Sequence, residues 1–467
     1  TKMTTKMTTK MTTKMLDLFL IASTLIPCAC AKLNIGIRPT PSGQFDVLVD
    51  GAVWFPGSTH PVALHNHAFT QQTAMKKTSY VDHDLFTSTY TASSNTTMIT
   101  TARVYDQHII FSQSFPNGAK NTATGDRDSV LSTFPSFLVE NSTVTGRRGY
   151  LQFQGDMVGA SYTTGEWNDH TTGIASGIKG TGPLCIFQQS SHLAVVLSPF
   201  TNAMAANQKY TIEGSTNTLD YGIMGNVTNI PPGYELSTIV SFAEGSVNNA
   251  MMTWGDLLLS NYQKDRKAAW VKDFALQFLG YSTDNGAYYY YTTEKNKNYQ
   301  ETMLDIAQDA ATQKIPYRYW LADSWWYYKG VKDGVKNWTS MKSVFPDGLK
   351  YIYDETGWLV QGHNRFWSMN TDYAKQNGGN WNFILDPDSQ YALPYDQEFW
   401  NYLMQTSRKW GCVVSFFLFF FKLEFFLLCP SDLLIIELFT DFLCIVILFL
   451  HSFFQQINDV RTRLVGR

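Results

Sequence analysis

Cysteine is scarce in this sequence and badly placed for a covalent framework. Of six cysteines in 467 residues, Cys28 and Cys30 fall in an N-terminal apolar segment and Cys412, Cys429 and Cys444 near the C-terminus. Cys185 is left alone in the body of the chain, which excludes a disulfide scaffold and a zinc site of paired Cys/His spacing. His60, His65 and His67 gather without a third ligand of suitable spacing on one strand, so they read as ordinary polar histidines. No metal and no cofactor is called for. Charge is also sparse, at 16% of residues with a formal net charge of -3, and this balance offers no basic face to nucleic acid. Long amphipathic helices are missing from roughly the first half of the chain, which excludes a helical bundle there. What is abundant is aromatic side chain, 15% of the sequence with 13 Trp and 25 Tyr. Flat rings pack well in β cores and stack on sugar faces.

The first residues repeat TTKM through Lys14 and do not begin with Met. Met15 then opens a segment whose apolar part, residues 18–26, is too short to span a bilayer and is followed by Pro27 and the small-residue site Ala29, Cys30, Ala31. Residues 1–31 are expected to be a leader and secretory signal peptide, and the protein to be secreted. On an exported chain the sequons at Asn95, Asn141, Asn226 and Asn337 are candidate glycan acceptors.

Residues 32–247 alternate apolar and polar positions in short runs separated by Gly, Asn, Pro and Ser, which predicts an all-β sandwich. Residues 248–272 carry Met251, Trp254, Leu258 and Tyr262 at helical spacing and predict one connector helix. From 273 to 414 the pattern becomes strand, polar strand end, helix. A strand is expected from Phe274 to Gly280, a helix opened by Asn298 and Glu301, a strand from Tyr317 to Leu321, a helix capped by Asp347 and stopped by Gly357, a strand at 358–362, and a helix opened by Asp396. Repeated βα units build a parallel sheet, and in a barrel the functional groups collect at the C-terminal strand ends. Asp284, Asp323, His363 and Arg365 fall there.

At these residues the sequence resembles glycoside hydrolases of the α-galactosidase and raffinose-synthase clan. The motifs are YSTDNGAY at 281–288 and ADSW at 322–325, set against strand-end WCTWDAFY-like and DDGW or DDCW motifs of that family. The resemblance implies an N-terminal β-sandwich followed by a (β/α)8 TIM barrel, here incomplete, and a carbohydrate partner. It implies that Asp323 accepts hydrogen bonds from sugar hydroxyls, that Trp325 forms part of the pocket wall, and that Asp284 is a similar candidate; Trp326, beside the strand-end Asp, and His363 and Arg365, by strand position alone, are further candidate contacts. Ala322 stands where the family carries the first Asp of its pair. The family chemistry is retaining hydrolysis of an α-linked, galactoside-type sugar by two carboxylates that follow the fourth and sixth strands.

Residues 415–467 break this pattern with an apolar run interrupted by Lys422 and Glu424. A membrane anchor, a buried helical hairpin and translated non-coding sequence are three readings of it, and the Phe/Leu/Ile/Val/Cys bias of T-rich DNA favours the last. The sequence thus predicts a glycoside hydrolase-like protein that lacks the catalytic pair and is inactive. The alternative is a non-catalytic secreted or membrane-attached carbohydrate-binding protein.

Overall fold

The computed structural model describes residues 33–40, 44–58, 62–92, 94–139, 142–155, 159, 161–213, 216–283 and 291–417. Within them period-two burial builds a nine-stranded antiparallel sheet. Its strands are β1 (Phe69–Ser79), β2 (Asp84–Ala92), β3 (Thr97–Val104), β4 (His108–Phe115), β5 (Arg148–Gln154), β6 (Ser161–Glu166), β7 (Leu184–Gln188), β8 (Leu193–Thr201) and β9 (Tyr234–Glu244). They lie in the order β6-β5-β7-β8-β9-β4-β3-β2-β1. At one edge β1 slips register against β2 between Gln71 and Thr73 and again between Thr73 and Lys76.

Two three-stranded sheets cover one face of this sheet. The first contains Ile35–Pro39, Phe45–Val49 and Ala52–Phe55, the second Ser136–Leu138, Ala206–Glu213 and Thr216–Ile223. Phe45 sits at the centre of the shared core, stacked on Phe111 of β4 at 4.8 Å and met edge-on by Phe134 and Phe137 at 5.6 and 6.1 Å. Helix α1 (Val247–Asn261) covers the opposite face with Ala250, Met251, Trp254 and Leu258. β8 is therefore buried on both sides, and its run LAVVLSPF is continuously apolar except for Ser198, whose hydroxyl accepts the indole N–H of Trp254 at 2.8 Å.

The predicted single connector helix is two helices. Gln263 adopts φ 52, and the Asp265 carboxylate then accepts the N–H groups of Lys267 and Ala268 to start α2 (Arg266–Lys272). The strand expected from Phe274 begins later. Asp273 caps a helical turn, Phe274–Gln277, by accepting the Leu276 N–H at 3.2 Å, and the strand follows as β10 (Leu279–Ser282).

After β10 come α3 (Tyr299–Thr312), β11 (Tyr317–Ala322), α4 (Leu349–Thr356), β12 (Leu359–Asn364), α5 (Gln397–Arg408) and β13 (Cys412–Phe417). The four strands pair in parallel in sequence order, β10-β11-β12-β13. Asn298 and Glu301 form the expected capping box on α3, and Gly357 closes α4 at φ 69. Asp347 does not cap α4. Its carboxylate accepts instead from the Gln300 side chain at 2.8 Å, tying α3 to the approach of α4.

The segments after β11 and β12 build a second sheet that the sequence pattern did not announce. Its five strands lie in the order Tyr327–Lys329, Val335–Ser340, Trp367–Ser368, Tyr391–Pro394, Phe383–Asp386. Trp320, Trp326, Trp338 and Trp367 are all buried in the core of this region. Among the described residues no helix is long and apolar enough to cross a membrane.

Candidate functional site

The register between β11 and β12 sets Leu321 opposite Gln361 and Ala322 opposite Gly362, so Asp323 and His363 come next in line on neighbouring strands. Trp320 and Ala322 are buried on one side of β11, and alternation sends Asp323 to the other. The carboxylate of Asp323 lies 3.8 Å from His363 Nε2, an ion-pair distance, and its side chain keeps 14% exposure while that of His363 keeps 3%. On the far side of the imidazole, Nδ1 is 3.4 Å from the Tyr327 hydroxyl. The Trp338 indole donates to the His363 carbonyl at 2.9 Å and holds the strand end in place.

Thr283, directly after β10, joins the neighbouring strand to this group. Its hydroxyl donates to the Leu321 carbonyl at 2.5 Å and accepts the Asp323 N–H at 3.3 Å. Arg365 lies near enough to the Tyr327 hydroxyl for its charge to act on it. Burial holds that phenol well above its ordinary range, and the nearby Arg365 charge opposes the shift only in part. Burial and the Arg365 charge together lower the Lys329 ammonium below its usual value. The rim thus gathers Thr283, Asp323, Tyr327, Lys329, His363 and Arg365. A carboxylate flanked by an imidazole and two cations can accept from hydroxyl groups and donate to oxygen ligands.

Three of the expected residues, Asp323, His363 and Arg365, come together here. Asp284 lies outside the described residues. The two tryptophans expected at the pocket wall differ in their surroundings. Trp326 is 0% exposed and is enclosed by Tyr327, Trp338 and Trp410, leaving no ring face for a ligand. Trp325 is 5% exposed, with Tyr299 edge-on at 4.8 Å and Phe345 stacked at 6.2 Å, so it backs the wall of the rim. Tyr327 and Trp338 of the added sheet bury Trp326, and strands that short are not read from period-two alternation.

Thr283, Tyr327 and Lys329 were missed by the sequence reading, although Thr283 immediately precedes a strand-end Asp. Asn364, the last residue of β12, was also missed. It is fully buried, and neither its amide nitrogen nor its oxygen has a hydrogen-bond partner among the described residues. Nothing in the local sequence distinguishes it.

Of the sequons, Asn95 is exposed in a turn at φ 62. Asn226 is half-buried, and the half-buried Asn337 donates to Asp372 at 3.2 Å and accepts from the Thr339 hydroxyl at 2.9 Å. Asn141 lies outside the described residues. Of the clustered histidines, His67 is bonded through both ring nitrogens, to the Ser94 hydroxyl at 2.8 Å and the Lys120 carbonyl at 3.0 Å. His60 lies outside the described residues.

In fold, the mostly β architecture is similar to solved structures of multidomain glycoside hydrolases. Among solved structures the chain is similar to the α-galactosidase of Lactobacillus brevis, with a TM-score of 0.50 at 10% identity over 82% of this chain. It is also similar to a quadruple mutant of the α-N-acetylgalactosaminidase of Bifidobacterium bifidum, with a TM-score of 0.51 at 10% identity over 82% of this chain and 68% of that one. The chain spans 62% of the length of the α-galactosidase. No known protein-family profile matches the sequence, and no curated protein matches it.

Proposed function

We propose that this chain is a glycoside hydrolase-like protein whose described residues hold an α-linked, galactoside-type sugar. In this reading residues 32–247 are the β-sandwich, 248–272 the connector, and 273–414 the first part of a (β/α)8 barrel, whose functional groups gather at the C-terminal strand ends. The observation that carries it is the approach of Asp323 to His363 at 3.8 Å on adjacent parallel strand ends. Asp323 accepts from sugar hydroxyls, Arg365 donates to ring or hydroxyl oxygens, His363 orients the carboxylate, and Trp325 backs the pocket. Asp284 adds a contact from the first strand end.

Retaining hydrolysis needs two carboxylates about 5 to 5.5 Å apart across the glycosidic bond. The family resemblance assigns them to positions after the fourth and sixth strands, and β13 is the fourth strand of the described sheet. In this reading the rim of the described strands binds sugar without cleaving it, and β13 runs through Phe417 as the fourth parallel strand beside β12. A second reading, a non-catalytic carbohydrate-binding protein that is secreted or membrane-attached, shares the same rim. Ala322, where the family has an Asp, favours it.

Titration calorimetry with methyl α-galactoside tests the site. Asp323→Ala is expected to weaken binding at least about tenfold, the worth of one hydrogen bond to a charged group. Unchanged affinity in that variant would remove Asp323 from the site. Aryl α-galactosides should not be hydrolysed, and turnover by this chain would refute the inactive reading.

Secretion belongs to the same proposal. Expressed in eukaryotic cells with its own leader, the protein should reach the medium lacking residues 1–31. Enzymatic deglycosylation should reduce its mass, with one step of that reduction absent in Asn95→Gln. Retention inside the cell at full length would contradict this.

A further inference from the structure

Two hairpin turns of the nine-stranded sheet are built alike. β1 and β2 are joined through Tyr80, Val81, Asp82 and His83, and β3 leads into β4 through Tyr105, Asp106, Gln107 and His108. In each Tyr-x-x-His turn the Tyr N–H donates to the His carbonyl, at 2.8 and 2.9 Å. β2 and β3 are neighbours with Asp84 opposite Val104, so the turns lie side by side. Their rings form one ladder, Tyr80–His83–Tyr105–His108, with centroids 4.8, 5.0 and 4.5 Å apart and interplanar angles of 13°, 28° and 10°. Asp82 steadies it from the side, its carboxylate 2.9 Å from His83 Nδ1.

None of these four rings belongs to the hydrophobic cores, and the ladder stands at the surface. Tyr80 is 54% exposed and the Val81 side chain is fully in solvent. Two open cavities adjoin it, about 700 Å³ and about 400 Å³, sharing Leu33, Asp82, Tyr105 and Asp106. His108, at one end of the ladder, lines the larger cavity together with Gln107, Glu244 and Asn249. Among the described residues neither cavity is lined by a lysine or arginine. Burial lowers the His108 imidazole to about 4, so that ring is uncharged near neutral pH.

We propose that the ring ladder and the groove beside it bind a neutral oligosaccharide, at a site separate from the strand-end rim. A pyranose offers an apolar C–H face and an edge of hydroxyls. The outer ring faces at the two ends of the ladder, Tyr80 and His108, complement the first, and planar carboxylate and carboxamide groups bond the second in pairs. The carboxylates of Asp82, Asp106 and Glu244 disfavour phosphates, sulfates and uronates, and the carboxamides of Gln107 and Asn249 add partners for hydroxyls beside the apolar Leu33, Phe242 and Leu257. The volumes fall within the range of ligand pockets, roughly 300 to 1,000 Å³, and two joined cavities accommodate more than one sugar ring.

The full chain is to be titrated with maltotetraose, cellotetraose and a galactotetraose, with a sulfated tetrasaccharide and a chitosan tetramer as charged comparisons. The imidazole NMR signals of His83 and His108 report on the groove directly. At least one neutral tetrasaccharide should shift both signals and bind more tightly than its monosaccharide. Tyr80→Ala, at an exposed side chain that keeps folding out of the comparison, should weaken it about threefold. Tyr80→Ala with Tyr105→Ala should weaken it about tenfold, because losing Tyr105 also removes the ring on which His108 is stacked. Asp323→Ala should leave this binding unchanged. The proposal is overturned if no neutral tetrasaccharide moves the two imidazole signals, or if a charged tetramer binds more tightly than every neutral one. It is equally overturned if Asp323→Ala, and not the ladder variants, abolishes binding.

Discussion

Replacing Trp326 by alanine is expected to destabilise the parallel-sheet region by about 3 to 5 kcal/mol, the cost of emptying a fully buried aromatic site. The indole is 0% exposed, with ring centroids of Tyr327, Trp338 and Trp410 at 5.3, 5.3 and 5.5 Å. Trp338 and Trp410 also meet each other, at 5.7 Å, so the walls of the new cavity are rigid rings that collapse poorly. The indole N–H has no partner among the described residues, and truncation therefore removes packing without stranding a bonded polar group. Hydrogen exchange should rise in peptides covering Tyr317–Ala322 and Leu359–Asn364 while β2 stays protected. Unchanged protection there would show that the indole does not join the two sheets. Loss of sugar binding in this variant is expected to follow from unfolding, which separates it from Asp323→Ala.

Phe45→Ala should produce the reverse pattern with a similar magnitude, about 3 to 5 kcal/mol. Phe45 is 0% exposed and touches aromatic residues from both layers of the β region, Phe111 on the nine-stranded sheet and Phe134 and Phe137 on the covering side. Its loss loosens the junction of two sheets, where no backbone hydrogen bond compensates. Faster exchange is expected in Phe45–Val49 and β4, with β11 and β12 unaffected. Equal loosening of all four segments would mean that the two cores unfold as one cooperative unit.

Local rules carried much of the architecture. Phe86, Ser88, Tyr90 and Ala92 are buried at every other position along β2 and alternate with half-buried Thr87, Thr89 and Thr91 as period two requires. The Asn298–Glu301 box and the left-handed Gly357 mark helix ends by chemistry confined to a few residues. Failures came where partners lie far away in sequence. Asp347 has the composition of a helix cap, yet Gln300 takes its carboxylate. Adjacent Trp325 and Trp326 look alike in sequence, and only Trp338 and Trp410 from later segments make Trp326 core while Tyr299 and Phe345 leave Trp325 behind the rim. At the rim, a strand-end Asp and His were legible from position alone. Tyr327 was not, because its hydroxyl enters the site through contacts with His363 and Arg365 more than thirty residues on.

The slipped register of β1 bears on how the molecule behaves in concentrated solution. An edge strand presents unpaired N–H and C=O groups, and a straight, apolar one templates the addition of another chain. Here the backbone falls out of step at two places, and Lys76 and Lys77 stand exposed, Lys77 within 2.7 Å of Asp84 on the inner neighbour. A second copy approaching this border meets positive charge and a bent ladder with mismatched spacing. Two lysines and a bulged backbone therefore end the sheet where a flat edge would invite fibre growth.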